Sequence, residues 1–150
     1  MNIPGLKIVT PATPADAKGL LRTAIRGEDP VLFFEPKMLY AAKGPVPDDP
    51  DYSIPFGVAN VIRPGKDVTI IAIGTMVPKA ISAAEKLLAR GINAEIVDPR
   101  TLVPLDKETV IASFKKTGKA LIVYEDNRFL GYGAEIAAIL GKSEGAVKSL

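Results

Sequence analysis

Asp67-Val68-Thr69-Ile70-Ile71-Ala72-Ile73 is followed by Thr75, then by Val77, Ala80, Ile81, Ala84, Leu87 and Leu88, with Gly91 behind them. The first run is rich in β-branched residues and nearly all apolar. That is the pattern of a strand buried on both faces. The second set recurs at i, i+3, i+4 and i+7, the period of an amphipathic helix. Thr75 is read as the N-cap of that helix and Gly91 as its end. Moving outward, the alternation repeats. Asn93 to Val97 is a strand. Asp106 caps a helix with Val110, Ile111 and Phe114 inward and Gly118 as its stop. Ala120 to Tyr124 is a strand, and a last helix covers roughly 133–140. Apolar strands alternating with amphipathic helices predict a parallel sheet covered on both faces.

Upstream, Gly57 to Ile62 reads as a strand and Arg63-Pro64-Gly65-Lys66 as a tight turn. Together with 67–73 they predict an antiparallel hairpin. Further back, Leu6 to Thr10 is a strand. Thr13 is an N-cap with Pro14 at the first helical position and Asp16 in the first turn. Ala17, Leu20, Leu21, Ala24 and Ile25 line one helix face, and Gly27 ends the helix. Val31 to Phe34 is a strand between Pro30 and Pro36, so 6–36 reads as a βαβ unit with parallel pairing. From 37 to 56 the periodicity is lost. Pro45, Pro47, Pro50 and Pro55 stand among Asp48, Asp49 and Asp51, the composition of a stiff linker or a long crossing loop.

The composition of the 150 residues is globular, 47% apolar and 24% charged. With 19 basic against 17 acidic residues, the net charge of +2 is too small to imply nucleic acid as a partner. There is no cysteine and no histidine. Disulfides, thiolate metal sites, cysteine nucleophiles and histidine bases are thereby excluded within these residues. Tryptophan is absent too, which argues against stacking platforms for single-stranded nucleic acid. No apolar run reaches the length of a membrane span. Met1 to Gly5 lacks the basic and apolar regions of a secretion signal. The expectation is a soluble cytoplasmic protein, or one of the mitochondrial matrix in a eukaryote, with neither nucleic acid nor membrane as a partner.

Ligands of open α/β sheets sit beyond the carboxyl ends of the strands. Three such ends carry polar residues. At Gly74-Thr75-Met76, free N–H groups could hold an anion, or Thr75 is simply a cap, which is the reading taken. Asp98 and Arg100 could pair with each other or with another subunit, and a structural pair is expected. Glu125 and Asp126 could act as acid and base or hold a metal. On an extended chain they point opposite ways, so a loop or interface role is expected. Gly131-Tyr132-Gly133 is read as a turn, since a lone G-x-G without a preceding strand is not a dinucleotide fingerprint. Lys115, Lys116 and Lys119 are read as a solvated face near a helix C-terminus. No self-contained catalytic constellation emerges.

Several phrases taken together are specific. They are Pro4-Gly5-Leu6-Lys7-Ile8-Val9, Pro11 to Leu21, Pro30 to Lys37 with Leu39-Tyr40, and Ile54-Pro55-Phe56-Gly57. Gly65 to Thr69, Val97-Asp98-Pro99-Arg100-Thr101-Leu102-Val103-Pro104-Leu105-Asp106, Glu125-Asp126-Asn127 and Gly131 to Ile136 complete the set. Over residues 4–140 the chain resembles the β subunit of the E1 component of 2-oxo acid dehydrogenase complexes, of pyruvate, branched-chain or acetoin type. More distantly it resembles transketolase and deoxyxylulose-phosphate synthase. Glu35-Pro36-Lys37 and Leu39-Tyr40 follow the dehydrogenase wording.

The resemblance implies a three-layer α/β/α sandwich with a mostly parallel sheet and one antiparallel strand, preceded by a partial βαβ unit of a pyrimidine-binding domain. Residues 1–40 correspond to the C-terminal remnant of that domain, 41–56 to a linker and 57–140 to a transketolase C-terminal-type domain. Residues 141–150 form a tail that departs from the family. The implied activity is decarboxylation of a 2-oxo acid with thiamine diphosphate and Mg²⁺, and acyl transfer to a lipoyl carrier. Implied partners are an E1 α subunit, a second β subunit and the subunit-binding domain of E2. The groups that hold thiamine diphosphate in the family have no counterparts in these residues, so no catalytic residue is carried over. A structural potassium ion is the one metal site implied, at Ala24, Ile25, Gly27 and Asp29. There the family commonly has Asp in place of Gly27 and Asn in place of Asp29. The same Gly27 reads equally as an ordinary helix cap. These residues are therefore expected to supply scaffold and interfaces. The alternatives are a stand-alone non-catalytic binding module, or part of a transketolase or synthase. An incomplete first sheet would expose an edge, so aggregation or partial disorder is expected over 1–40.

Overall fold

A computed structural model describes residues 3–143 and 146–149. In chain order the elements are β1 (Lys7–Val9), α1 (Pro14–Arg26), β2 (Val31–Phe33), β3 (Asn60–Arg63), β4 (Val68–Ala72) and α2 (Met76–Leu88). They continue as β5 (Ala94–Asp98), β6 (Thr101–Val103), α3 (Lys107–Thr117), β7 (Lys119–Val123), α4 (Tyr132–Gly141) and β8 (Ala146–Ser149). A single 3-10 turn, Lys37–Leu39, follows β2.

The larger sheet has the order β3-β5-β4-β7-β8. Strand β4 is parallel to β5, with Ile70 opposite Ile96, and parallel to β7, with Ile71 opposite Ile122. Alternation along β4 sends Ile70 and Ala72 to one face, where they pack with Val77, Ala80 and Ala84 of α2. Ile71 goes to the other face, with Val110 and Phe114 of α3 and Ile136 and Leu140 of α4. Three layers with two separate cores result, as expected for a sheet whose strands are apolar on both sides.

Local signals placed most helix ends. Thr13 caps α1 by accepting the Asp16 N–H at 3.1 Å, with Pro14 at the first position. Asp106 caps α3 by accepting the Thr109 N–H at 3.0 Å. Gly118 ends α3 at φ +67°, where a side chain would be strained.

Two expectations are corrected. Strand β3 is antiparallel, but its partner is β5 and not β4, so the predicted hairpin does not form. The turn 63–67 crosses over the start of β5 instead. Lys66 and Asp67 both donate their N–H groups to the Asn93 carbonyl at 3.0 Å, and the Gly65 N–H reaches Glu95 Oε2 at 3.0 Å. A Cβ on Gly65 would run into the backbone of Ala94 and Glu95, so only glycine permits this crossing. The second correction is β6, absent from the sequence reading. It pairs antiparallel with β1, giving a second sheet of order β2-β1-β6. Residues 6–36 therefore form parallel β1 and β2, as predicted, with a third strand supplied from beyond residue 100. Strand β8 lies within the stretch 141–150 read as a tail and runs parallel to β7.

The proline-rich stretch 41–56 lies against α1. Lys18 Nζ donates to the Pro47 carbonyl at 2.5 Å, the Thr23 hydroxyl donates to the Ile54 carbonyl at 2.7 Å, and the Ile54 side chain is buried against Gly19. Among the described residues no helix is long and apolar enough to cross a membrane.

Candidate functional site

Two polar features lie where the first sheet meets the second. One is a latch centred on Arg100. The chain turns sharply after β5, and Arg100 sits at φ +57°, uncommon for a residue with a side chain. Its backbone N–H donates to Asp98 Oδ1 at 2.9 Å. Its guanidinium reaches back to Asp16 Oδ1 at 3.1 Å and to the Val58 carbonyl at 2.8 Å. Asp16 also accepts the Thr13 hydroxyl at 2.5 Å. Both charged side chains are nearly buried, 11% exposed for Arg100 and 4% for Asp16, so this ion pair is shielded from solvent screening. The Arg100 carbonyl takes the Thr10 N–H at 2.9 Å.

The expected side-chain pair of Asp98 with Arg100 is therefore corrected. Arg100 gives Asp98 only its backbone, and its charge goes to Asp16. Asp98 is fully buried, and its Oδ2 has no hydrogen-bond partner. Burial, helped by the nearby Asp16 carboxylate, pushes its carboxyl up to about 7 against the pull of the Arg100 N–H and charge.

The second feature is a crevice of about 400 Å³. Ile73, Gly74 and Thr75, just beyond β4, form one side, and Tyr124, Glu125 and Asp126, just beyond β7, form the other. Ile8 and Thr10 from the three-stranded sheet and the residue beyond β1, with Leu32 and Phe34, close it from across the boundary. Gly74 has φ +57° and brings its backbone close to Thr10, so that an added Cβ would stand 3.2 Å from the Thr10 hydroxyl. Thr75 is not the side-chain cap expected of it. Its backbone is already helical and its hydroxyl donates to Glu125 Oε2. Lys79 stands 3.9 Å from the other Glu125 oxygen. Tyr132 donates its hydroxyl to the Leu102 carbonyl at 2.6 Å, and burial pushes its phenol well above the ordinary value.

Gly131-Tyr132-Gly133, read as a turn, is the cap and first turn of α4. Added Cβ atoms at Gly131 and Gly133 would collide with the Asn127 carbonyl and the Tyr124 ring. These glycines thus let α4 press against the crevice wall. Lys116, placed on a solvated face, instead pairs with the buried Glu95. Burial raises the Glu95 carboxyl, but hydrogen bonds from Lys116, Ser113 and the Gly65 N–H outweigh it and hold it below the usual range. Lys115 and Lys119 are exposed.

The residues proposed for potassium lie at the end of α1 and just beyond. Ala24 and Ile25 are in the last turn, and Gly27 is the cap, with its N–H on the Thr23 carbonyl at 3.0 Å. The Asp29 carboxylate stands 3.7 Å from Lys7 Nζ. Among the described residues, no three His, Cys, Asp or Glu side chains group closely enough to hold a metal ion. Glu125 and Asp126 do not act jointly: Glu125 turns to Thr75, and Asp126 accepts the Asn127 N–H at 2.7 Å. Sequence reasoning missed Asp16 and Thr10 as boundary residues, because nothing in their spacing links them to residue 100.

The comparisons agree with the fold. Residues 57–149 match the family model described as transketolase, C-terminal domain, and residues 1–43 match transketolase, pyrimidine binding domain. The 2-oxoisovalerate dehydrogenase subunit beta of Bacillus subtilis (strain 168) is 54% identical over 142 residues, covering 94% of this chain and 43% of the relative. The acetoin:2,6-dichlorophenolindophenol oxidoreductase subunit beta of Cupriavidus necator is 49% identical, with 99% and 44% covered. The pyruvate dehydrogenase E1 component subunit beta of Staphylococcus aureus is 45% identical, with 98% and 45% covered. A solved structure described as a split gene transketolase, inactive beta4 tetramer, superposes with a TM-score of 0.81 at 30% identity, over 99% of this chain and 48% of that one. The chain thus spans less than half the length of the curated relatives named here.

Proposed function

Because the chain belongs to the transketolase C-terminal-domain family, we propose that it is the scaffold and interface part of a 2-oxo acid dehydrogenase E1 β subunit. The observation that carries this reading is the identity of 45–54% to named E1-type β subunits over nearly all of its residues. The assembled enzyme would decarboxylate a 2-oxo acid and pass the acyl group to a lipoyl carrier.

The family is generally thiamine diphosphate-dependent. The residues of this chain do not fit that cofactor's diphosphate and Mg²⁺. Among the described residues there is no acidic group with metal-ligand spacing. The N-terminus of α2, which could hold an anion, faces the Glu125 carboxylate instead. The cofactor chemistry therefore belongs to other parts of the assembly, and these residues position the surfaces on which an α subunit and a second β subunit dock.

The last turn of α1 is a further element of this reading. Helix-end carbonyls lack intrahelical partners and carry partial negative charge, which suits a hard monovalent cation such as potassium. Ala24, Ile25 and Gly27 would offer carbonyls and Asp29 a carboxylate. Thermal melting in KCl against choline chloride tests it, with a rise in midpoint in KCl expected.

The function itself is tested in two steps. Titration of the chain with thiamine diphosphate and MgCl₂ should show no saturable binding. Co-expression with the α subunit and the N-terminal half of a β subunit from a relative should yield a complex that contains this chain and binds the cofactor. Tight cofactor binding by the chain alone, or failure of the chain to join such a complex, defeats the proposal.

A further inference from the structure

The crevice lies at a particular point in the topology. From β4 the chain passes through α2 to β5 on one side, and α3 later brings β7 to the other side of β4. The connections leaving the carboxyl ends of β4 and β7 therefore diverge, with α2 and α4 on opposite faces of the sheet. Such a divergence opens a crevice and is where parallel α/β sheets take their ligands. The cavity found there, about 400 Å³, is the size of a small-molecule site.

Sites of this topology commonly take a phosphate on the helix N-terminus. Here that position has a different tenant. Glu125 sits on the entry to α2 through the Thr75 hydroxyl, and Asp126 stands beside it on the rim. Lys79 offsets one of these charges from 3.9 Å, and neither lysine nor arginine lines the cavity. An anion entering would meet uncompensated negative charge. A cation would not. The walls are apolar and aromatic, with Tyr124, Tyr132 and Phe34 presenting rings that suit a flat organic body and favour positive charge over their faces.

We propose that this crevice binds a small organic cation, an apolar or aromatic body bearing an ammonium or amidinium group, with the two rim carboxylates of Glu125 and Asp126, of which Lys79 offsets only one, as its counter-charge. Glu125 is half-exposed, so its contribution is that of a rim charge, about 1 kcal/mol or fivefold in affinity.

The test uses the full chain and four probes: benzamidine, the neutral benzyl alcohol, the anionic benzoate and inorganic phosphate. Benzamidine should bind saturably and about fivefold more tightly than benzyl alcohol, with benzoate and phosphate weaker still. Its chemical-shift changes should map to Tyr124 and Tyr132. E125Q keeps an oxygen for the Thr75 hydroxyl and so should keep the fold, checked by its melting midpoint. It should reduce benzamidine binding to the benzyl alcohol level and leave benzyl alcohol unchanged. The proposal is overturned if benzamidine does not bind, if benzoate or phosphate binds as well, or if the shifts map elsewhere. It is likewise overturned if E125Q leaves the order of affinities unchanged. None of these readouts depends on E1 assembly, so the proposal and the proposed function can fail separately.

Discussion

The two sheets are built from similar strands and are covered very differently. The five-stranded sheet has a core on each face, and β5 is buried along its whole length. The three-stranded sheet buries Ile8 and Val9 of β1, but Leu32 of β2 and the adjoining Phe34 remain exposed. The outer face of α1 likewise shows Leu21 and Ile25. Equal apolar content therefore does not give equal closure. The five-stranded sheet satisfies its own pattern, whereas the three-stranded one relies on β6, on the Arg100 latch and on the packed proline-rich segment. Of the exposed large apolar side chains, Ile3, Leu21, Ile25, Leu32, Phe34, Met38, Tyr40 and Val46 all lie in the segment before residue 57.

The largest effect is expected at Phe114, fully buried under the larger sheet. Phe114→Ala should lower stability by about 4 kcal/mol in denaturant titration. A loss below about 1 kcal/mol would mean that this core is not the closed one. Next comes the latch. Arg100→Met keeps the stem but leaves the Asp16 carboxylate buried without its cation, a loss of about 3 kcal/mol. Amide exchange should then quicken over 6–36 more than over 68–123. Equal quickening would show that the first region leans on the second through other contacts.

The third prediction is a slope with pH. Asp98 keeps its proton to about pH 7 when folded and loses it near 3.8 when unfolded. Asp98 thus binds more proton folded than unfolded between those values, so its contribution to stability falls as pH rises from about 4 to about 7. The slope has a ceiling of about 1.4 kcal/mol per pH unit. Asp98→Asn should flatten that slope. A slope that Asp98→Asn leaves unchanged would contradict the buried carboxyl. The smallest effect belongs to the open face. Phe34→Ser should change stability by no more than about 0.5 kcal/mol while reducing self-association in light scattering. A loss of several kcal/mol there would show that Phe34 is part of a core.

Much of the fold is written locally. The run 67–73 and the spacing from Val77 to Leu88 announce a buried strand and an amphipathic helix. Thr13, Asp106 and Gly118 mark helix ends, because capping needs only neighbours within four residues. Thr75 has the same chemistry and fails as a cap, since Glu125, fifty positions away, takes its hydroxyl. The Asp16–Arg100 pair is equally invisible, because both residues have adequate local readings as a helix first-turn acid and a loop base. Strand β6 was missed because Thr101-Leu102-Val103 is too short to display a period.

The helices, the longer strands and the apolar faces are legible along the chain, because those properties follow from periodicity, whereas β6 and β8 are not. Only the tertiary structure decided which strand lies beside which. Any extended backbone can hydrogen-bond to any other, and the turn at Gly65 reads the same whether the next strand pairs or is passed over. The neighbour of β3, the latch at Arg100 and the crevice between β4 and β7 all follow from that choice. They join residues whose separation along the chain carries no signal, and the energy that selects among pairings comes from packing the whole sheet at once.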